Sequence, residues 1–275
     1  SKDFAKDFLI THFFFLPRYM RLLEFVTSKD TRNDAAEAVR DFCDRQLGKG
    51  VVVCKDTPGF IANRLGVFWM QAAVNEAVSG KVPIEVADAV MGRPIGVPKT
   101  AVFGLIDLVG IDLMPKLADS MLSTLPEDDE YRKIYQDHDV VGQMMEAGYT
   151  GRKGTGGFYR LKRDGGKKEK QVYDLTSAKF SEDHYYKEEK PKMVSVDAGR
   201  KGLRAVVTTE DEGGHYAWKV LSRTLSYAAS LLGEIAETVF DIDEAMRLGY
   251  NWKYGPFEMI DQLGAAWFAE KLKAD

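Results

Sequence analysis

The sequence is poor in cysteine and carries no excess of positive charge. Its 275 residues include two cysteines, Cys43 and Cys54. Two isolated thiols exclude a disulfide framework, offer no metal-ligand spacing, and fit a reducing, cytoplasmic compartment. The four histidines, His12, His138, His184 and His215, are too scattered to form a sequence-local metal motif, so no metal site is expected. Lys and Arg number 38 against 42 Asp and Glu, a net charge of −4, which gives no support to nucleic-acid binding. No apolar run is long enough to cross a bilayer, so no membrane partner is expected, and no signal-peptide pattern opens the chain. The opening "SKDFAKDF" is not an initiator sequence; the chain is expected to be a processed product or a segment of something longer. What remains, 45% hydrophobic and 29% charged residues, is the profile of a globular protein with one large domain or two ordinary ones.

Within the apolar stretch "ITHFFFLPRYMRLLEFV" (Ile10 to Val26), His12 and Glu24 stand twelve residues apart around Pro17. An extended chain would separate them by roughly 40 Å, so they meet only if the chain reverses. Pro17 suits position i+1 of a turn, and both flanks read as strands. A hairpin centred on Arg18 sets His12 opposite Glu24, and the even separation puts both on one face of the sheet. The spacing alone leaves open an exposed hairpin carrying two unrelated polar residues.

An amphipathic helix is predicted from Asn33 to Leu47, stopped by Gly48, followed by a short apolar strand in "GVVVCKD". From Pro58 the period becomes helical. Thr57 is the expected N-cap with Pro58 at the first helical position, and Ile61, Leu65, Phe68 and Ala72 mark a buried face. Further helices are predicted over Ile84 to Met91, Phe103 to Leu125 with a break near Gly110, Tyr131 to Gln136, and Val140 to Ala147. The segment 162–212 is polar and lysine-rich and reads as a linker or surface insertion with a charged hairpin; Lys167, Lys168 and Lys170 could attract a phosphate but read better as a solvated loop. Trp218, Leu221, Leu225, Ala228, Leu232 and Ile235 then form a stripe at helical spacing.

Two segments match each other. "FGLIDLVG" (Phe103 to Gly110) and "FEMIDQLG" (Phe257 to Gly264) share Phe, Ile, Asp and Gly at equal spacing, and "DAVMG" upstream of the first resembles "DEAMRLG" upstream of the second. This predicts an internal duplication of a helical unit.

The hairpin, the segment "KDTPGFIANR" (Lys55 to Arg64) and the duplicated helical units together resemble the 3-hydroxyacyl-CoA dehydrogenases of fatty-acid β-oxidation, from about residue 8 to the end and weakest over 162–212. The resemblance implies a mainly α fold: tandem helical C-terminal repeats attached to the last strands of a truncated Rossmann α/β domain. The divisions would be a dinucleotide-binding remnant at 1–56, a first repeat at 57–161, a charged insertion at 162–213 and a second repeat at 214–275. It implies NAD-dependent oxidation of a 3-hydroxyacyl-CoA, with His12 as catalytic base, Glu24 as its partner, and Asn63 positioning the substrate carbonyl or the imidazole. It implies an acyl-CoA substrate and packing of the repeats within the chain or across a homodimer. Two departures stand out. The family's "HFFNP" is here His12-Phe13-Phe14-Phe15-Leu16. No G-x-G-x-x-G turn occurs: "GKGVVV" precedes a strand and "GTGGFY" lacks the spacing. NAD is therefore expected to be bound mainly by a segment upstream of this chain. The alternatives are a non-catalytic dimerisation or scaffold module of the same fold, or a dehydrogenase of a hydroxyacid that carries no CoA.

Overall fold

The computed structural model describes residues 2–164, 167–177 and 179–275. In chain order the elements begin with α1 (Lys2–Lys6), β1 (Leu9–Phe13), β2 (Leu22–Thr27), α2 (Asn33–Asp41), β3 (Gly50–Val53) and α3 (Ala62–Gly80). There follow α4 (Ile84–Val90), α5 (Phe103–Val109), α6 (Leu113–Thr124), α7 (Glu130–Ile134) and α8 (Asp139–Glu146). The remainder comprises β4 (Tyr159–Asp164), β5 (Lys167–Tyr173), β6 (Tyr185–Lys187), α9 (Val194–Ala198), α10 (Leu203–Val207), α11 (Glu212–Ser230), α12 (Val239–Tyr250), α13 (Pro256–Leu263) and α14 (Ala265–Ala274). The fold is mainly helical. The chain forms two compact units, one of Ser1–Gly66 with Leu225–Asp261, the other of Val67–Thr224 with Gln262–Asp275.

The first unit is built on the sheet β1-β2-β3, antiparallel between β1 and β2 and parallel between β2 and β3. A parallel pair requires a crossover, which α2 and the wider helical turn after it (Phe42–Gln46) supply. The residues alternate between two faces. Leu23 and Phe25 turn with Leu9 and Val51 toward Ala36, Val39 and Cys43. Leu22 and Glu24 take the opposite face, against α12: a Cβ at Gly249 would lie 2.8 Å from Leu22, and one at Gly50 would lie 2.2 Å from Leu248. A side chain at position 50 would have to displace the Leu248 methyl. Burial of Leu22 and Leu23, both fully enclosed, contributes about 1.5–3 kcal/mol each. Gly48, at φ +65, ends the helical stretch as its position predicts.

Two sequence expectations fail in this unit. Thr57 is not the cap of α3: regular helix starts at Ala62, after a turn in which Gly59 and Phe60 adopt φ +76 and +47. The Thr57 hydroxyl is enclosed without a partner among the described residues. The stripe from Trp218 to Ile235 also outruns its helix. The helix α11 stops at Ser230, Gly233 turns at φ +88, and Leu232 is 41% exposed, because the chain reverses there to bring residues 231–237 onto the end of β3.

In the second unit the helices fall close to their predicted spans, with Gly110 at φ +108 separating α5 from α6. Phe68, Trp69, Ala72 and Ala73 of α3 and Ala217, Val220 and Leu221 of α11 are buried, and the Tyr216 hydroxyl donates to the Ala73 carbonyl at 2.9 Å. The charged hairpin forms as β4 and β5, with β6 added antiparallel; Gly165 and Gly166 lie outside the described residues. The stretch read from sequence as linker or insertion thus contains strands and the helices α9 and α10. Its packing comes from aromatic rings dispersed among lysines: Tyr173 and Tyr185 lie 5.1 Å apart, and the Arg160 guanidinium sits 4.0 Å from the Tyr185 ring.

Each unit contains an aspartate, half-buried at 88 and buried at 243, that caps a later helix. Asp88 Oδ1 accepts from the backbone N–H of Val102 and Phe103, and Oδ2 from Gly104 and the Tyr159 hydroxyl. Asp243 accepts from Phe257 and Glu258. Burial outweighs these donors and pushes Asp88 up to about 7 and Asp243 up to about 6. Asp107, also pushed up by burial to about 6, accepts from Phe158 and Tyr159 and pins the glycine turn before β4.

Candidate active site

The hairpin forms in the register its spacing predicts. His12 pairs with Glu24 across β1 and β2, and the reversal is a turn in which Leu16 accepts from the Tyr19 N–H at 2.8 Å with Pro17 at the second position. The two side chains share the sheet face directed at α12 and the start of α3. His12 Nδ1 lies 2.6 Å from Glu24 Oε2; the imidazole side chain is 31% exposed and the carboxylate 0%.

A wholly buried carboxylate needs partners on both oxygens. Glu24 Oε1 receives the backbone N–H groups of Ile61 and Ala62, at 2.9 and 2.8 Å. These are orphan donors at the N-terminus of α3, where the helix dipole also favours a negative charge. The left-handed Gly59 and Phe60 turn the chain so that both donors aim at the sheet. Glu24 therefore does two jobs with its two oxygens: Oε1 caps a helix and Oε2 holds an imidazole. Since an ionised carboxylate can only accept, the neutral His12 carries its proton on Nδ1 and leaves a lone pair on Nε2. Nε2 has no hydrogen-bond partner among the described residues. The ring is flanked by Phe60, 5.7 Å away, and Phe14, 6.2 Å away; Phe14 in turn packs on Tyr250 at 5.1 Å. Burial and, second, the Glu24 charge push both the Cys54 thiol and the Tyr250 hydroxyl up, leaving them neutral beside the pair.

Of the three residues singled out in sequence, the structure brings His12 and Glu24 into contact. Asn63 lies in the first turn of α3, half-buried, immediately after Ala62; no hydrogen bond joins its amide to the pair. The altered end of the hairpin motif is visible in the backbone. Leu16 has φ +60, closed to the proline of "HFFNP", and Phe15 is 53% exposed.

Sequence reasoning missed two cations. Lys49 is buried and donates to the carbonyls of Met20, at 2.8 Å, and Pro17, fastening the hairpin loop. Arg64 is 1% exposed and bonds Tyr227, Glu234 and the Pro58 carbonyl. A signal for Arg64 existed: it stands three residues after Ile61 on the apolar stripe of α3, where a charge is out of place.

The family profile described as the 3-hydroxyacyl-CoA dehydrogenase C-terminal domain matches residues 59–161 and 214–274, and that of the NAD-binding domain of the same enzymes matches residues 2–57. The chain belongs to the 3-hydroxyacyl-CoA dehydrogenase family. It is 39% identical over 253 residues to a putative fatty acid oxidation complex trifunctional enzyme of Rickettsia felis, covering 92% of this chain and 34% of that protein. It is 36% identical over 279 residues to a probable 3-hydroxyacyl-CoA dehydrogenase of Bacillus subtilis, covering 99% of this chain and again 34% of the relative. The chain thus spans about a third of the length of these curated relatives. Among solved structures, a 3-hydroxybutyryl-CoA dehydrogenase from Escherichia coli superposes with a TM-score of 0.67 at 20% identity, covering 96% of this chain and 65% of that one, a likeness of fold. No helix among the described residues is long and apolar enough to cross a membrane.

Proposed function

We propose that this member of the 3-hydroxyacyl-CoA dehydrogenase family serves the oxidation of a 3-hydroxyacyl-CoA to the 3-oxoacyl-CoA, with His12 as the base. The observation that carries the reading is the 2.6 Å His12–Glu24 contact, with Nε2 left unpartnered on a partly exposed ring. In the oxidation the C3 hydroxyl gives its proton to Nε2 while C3 gives up a hydride, so a carbonyl forms. As the imidazole becomes cationic, Glu24 stabilises it and keeps the ring in its tautomer. Asn63, one residue beyond the capped end of α3, is the candidate for orienting the thioester carbonyl or the imidazole.

The family implies NAD as hydride acceptor. The residues of 2–57 do not fit its pyrophosphate. Their only glycines, Gly48 and Gly50, precede and open β3, so no glycine-rich turn joins a strand to a helix there. The reading assigns this chain the proton and places the pyrophosphate cradle outside it. The equivalent caps made by Asp88 and Asp243 support the further reading that α4–α5 and α12–α13 are copies of one duplicated helical unit, within repeats at 57–161 and 214–275.

The test is turnover by the full-length protein with acetoacetyl-CoA and NADH, followed by the absorbance of the reduced nicotinamide. Replacing His12 with alanine is expected to lower kcat roughly 10²–10⁴-fold. Unchanged turnover in the His12→Ala protein would remove the catalytic role. Equal rates with the corresponding free acid would remove the CoA thioester as substrate.

A further inference from the structure

The cap on Glu24 depends on a turn that does not hold itself. Phe60 is in the left-handed region without being glycine, a conformation that persists only where the surroundings impose it. The surroundings in question centre on Arg64. Its guanidinium cannot lose its proton, it is almost wholly buried, and it lies in the first turn of α3, where the helix dipole disfavours a cation. Desolvation, charge and dipole all oppose an arginine there.

Its partners account for its presence. Nε donates to the Tyr227 hydroxyl, one Nη donates to Glu234 at 3.1 Å, and the other reaches the Pro58 carbonyl at 3.4 Å. The Arg64 backbone N–H also donates to the Gly59 carbonyl at 3.1 Å. Both Pro58 and Gly59 are therefore tied to one residue. The loop carrying Glu234 is anchored independently: Lys55 donates from its backbone to the Ile235 carbonyl at 3.0 Å, and its side chain pairs with Glu237 at 2.7 Å.

We propose that Arg64, held by Tyr227 and Glu234, is a positioning residue for the proton-transfer pair. It fixes the Pro58–Phe60 turn, the turn aims the Ile61 and Ala62 N–H groups at Glu24, and Glu24 so held sets the tautomer and angle of His12. The residues around Tyr227 and Glu234, more than 160 positions away in sequence, thereby take part in the chemistry without touching substrate. This rests on the reading of His12 as the base.

The test uses Arg64→Lys, Tyr227→Phe and Glu234→Gln in the full-length protein, each checked for folding by circular dichroism and thermal melting. Two readouts are taken: kcat and KM across pH, and the nitrogen NMR signals of the His12 ring, which report its tautomer and titration without any turnover. Arg64→Lys is expected to lower kcat by about tenfold or more with KM within about threefold, as a misplaced base does, and to move the His12 ring signals. Tyr227→Phe and Glu234→Gln should act in the same direction and less. Folded variants whose ring signals and kcat stay within about twofold of wild type would overturn the clamp. So would a kcat loss that tracks the melting temperature with unmoved ring signals. Failure of the underlying reading looks different: His12→Ala would leave turnover intact, while the ring signals of the three variants would still decide whether the clamp exists.

Discussion

Glu24 and Asp88 solve the same structural problem, and only Glu24 also holds an imidazole. Each is a carboxylate, wholly buried at Glu24 and half-buried at Asp88, that caps a later helix, α3 for Glu24 and α5 for Asp88. Asp88 spends both oxygens on structure: three backbone N–H groups and the Tyr159 hydroxyl leave no acceptor to spare. Glu24 satisfies the helix with one oxygen and keeps the other for an imidazole at the solvent-reaching edge of the sheet. A carboxylate cap is thus a structural device that also orients an imidazole when one of its oxygens is left over for the ring.

The comparison breaks most visibly at Glu24. Truncation in Glu24→Ala strands two helix donors and the imidazole, and should cost about 2–5 kcal/mol in urea unfolding together with turnover. Glu24→Gln separates the two jobs. Its amide oxygen can keep the cap, while its NH₂ faces Nδ1 and forces the proton onto Nε2. Turnover should then fall by roughly 10³–10⁴-fold with most of the stability retained; a Gln variant as active as wild type would show that the tautomer does not matter.

A smaller effect sharpens the Asp88 side. Its folded-state value near 7, like those near 6 for Asp107 and Asp243, lies above that of an unfolded aspartate. The folded state therefore holds protons that the unfolded state has released. Stability from these groups is present at about pH 4, declines as pH rises through 6 to 7, and is level above that. Urea midpoints measured across that range should show the decline, and Asp88→Asn should make it shallower, with Asp107 and Asp243 still contributing. A rise with pH that Asp88→Asn leaves untouched would contradict the assignment.

The smallest contrast lies between the two matching "ID" aspartates. Asp107 pins Phe158 and Tyr159, whereas Asp261 is exposed. Asp107→Asn should lower the melting temperature measurably, by an amount equivalent to about 1–3 kcal/mol, and Asp261→Asn should stay within about 0.5 kcal/mol. Equal losses would mean that the second aspartate has a structural role of its own.

The hairpin was legible because its information is local: an even separation, a proline at the turn and two β-rich flanks settle the register. The helices of the second unit were legible for a similar reason, since apolar periodicity and Gly110 mark their limits. The cap on α3 was not. Thr57 and Pro58 have the composition of a helix start, yet the Gly59–Phe60 turn displaces it, and the carboxylate that replaces a local cap comes from residue 24. The folded character of 162–213 was hidden by lysines that outnumber the few buried aromatic rings. Arg64 was legible only as an anomaly on an apolar stripe, because its partners lie far along the chain.

By itself the sequence put a histidine and a glutamate on one face of a hairpin reversing at Pro17, since an even separation along strands returns side chains to the same side, and it left open whether the two interact. Only the tertiary structure decided what that glutamate is for. Its second oxygen is claimed by backbone donors of a helix that starts 38 residues later, and a buried charge is assigned its role by every group that must satisfy it, wherever in the chain those groups arise.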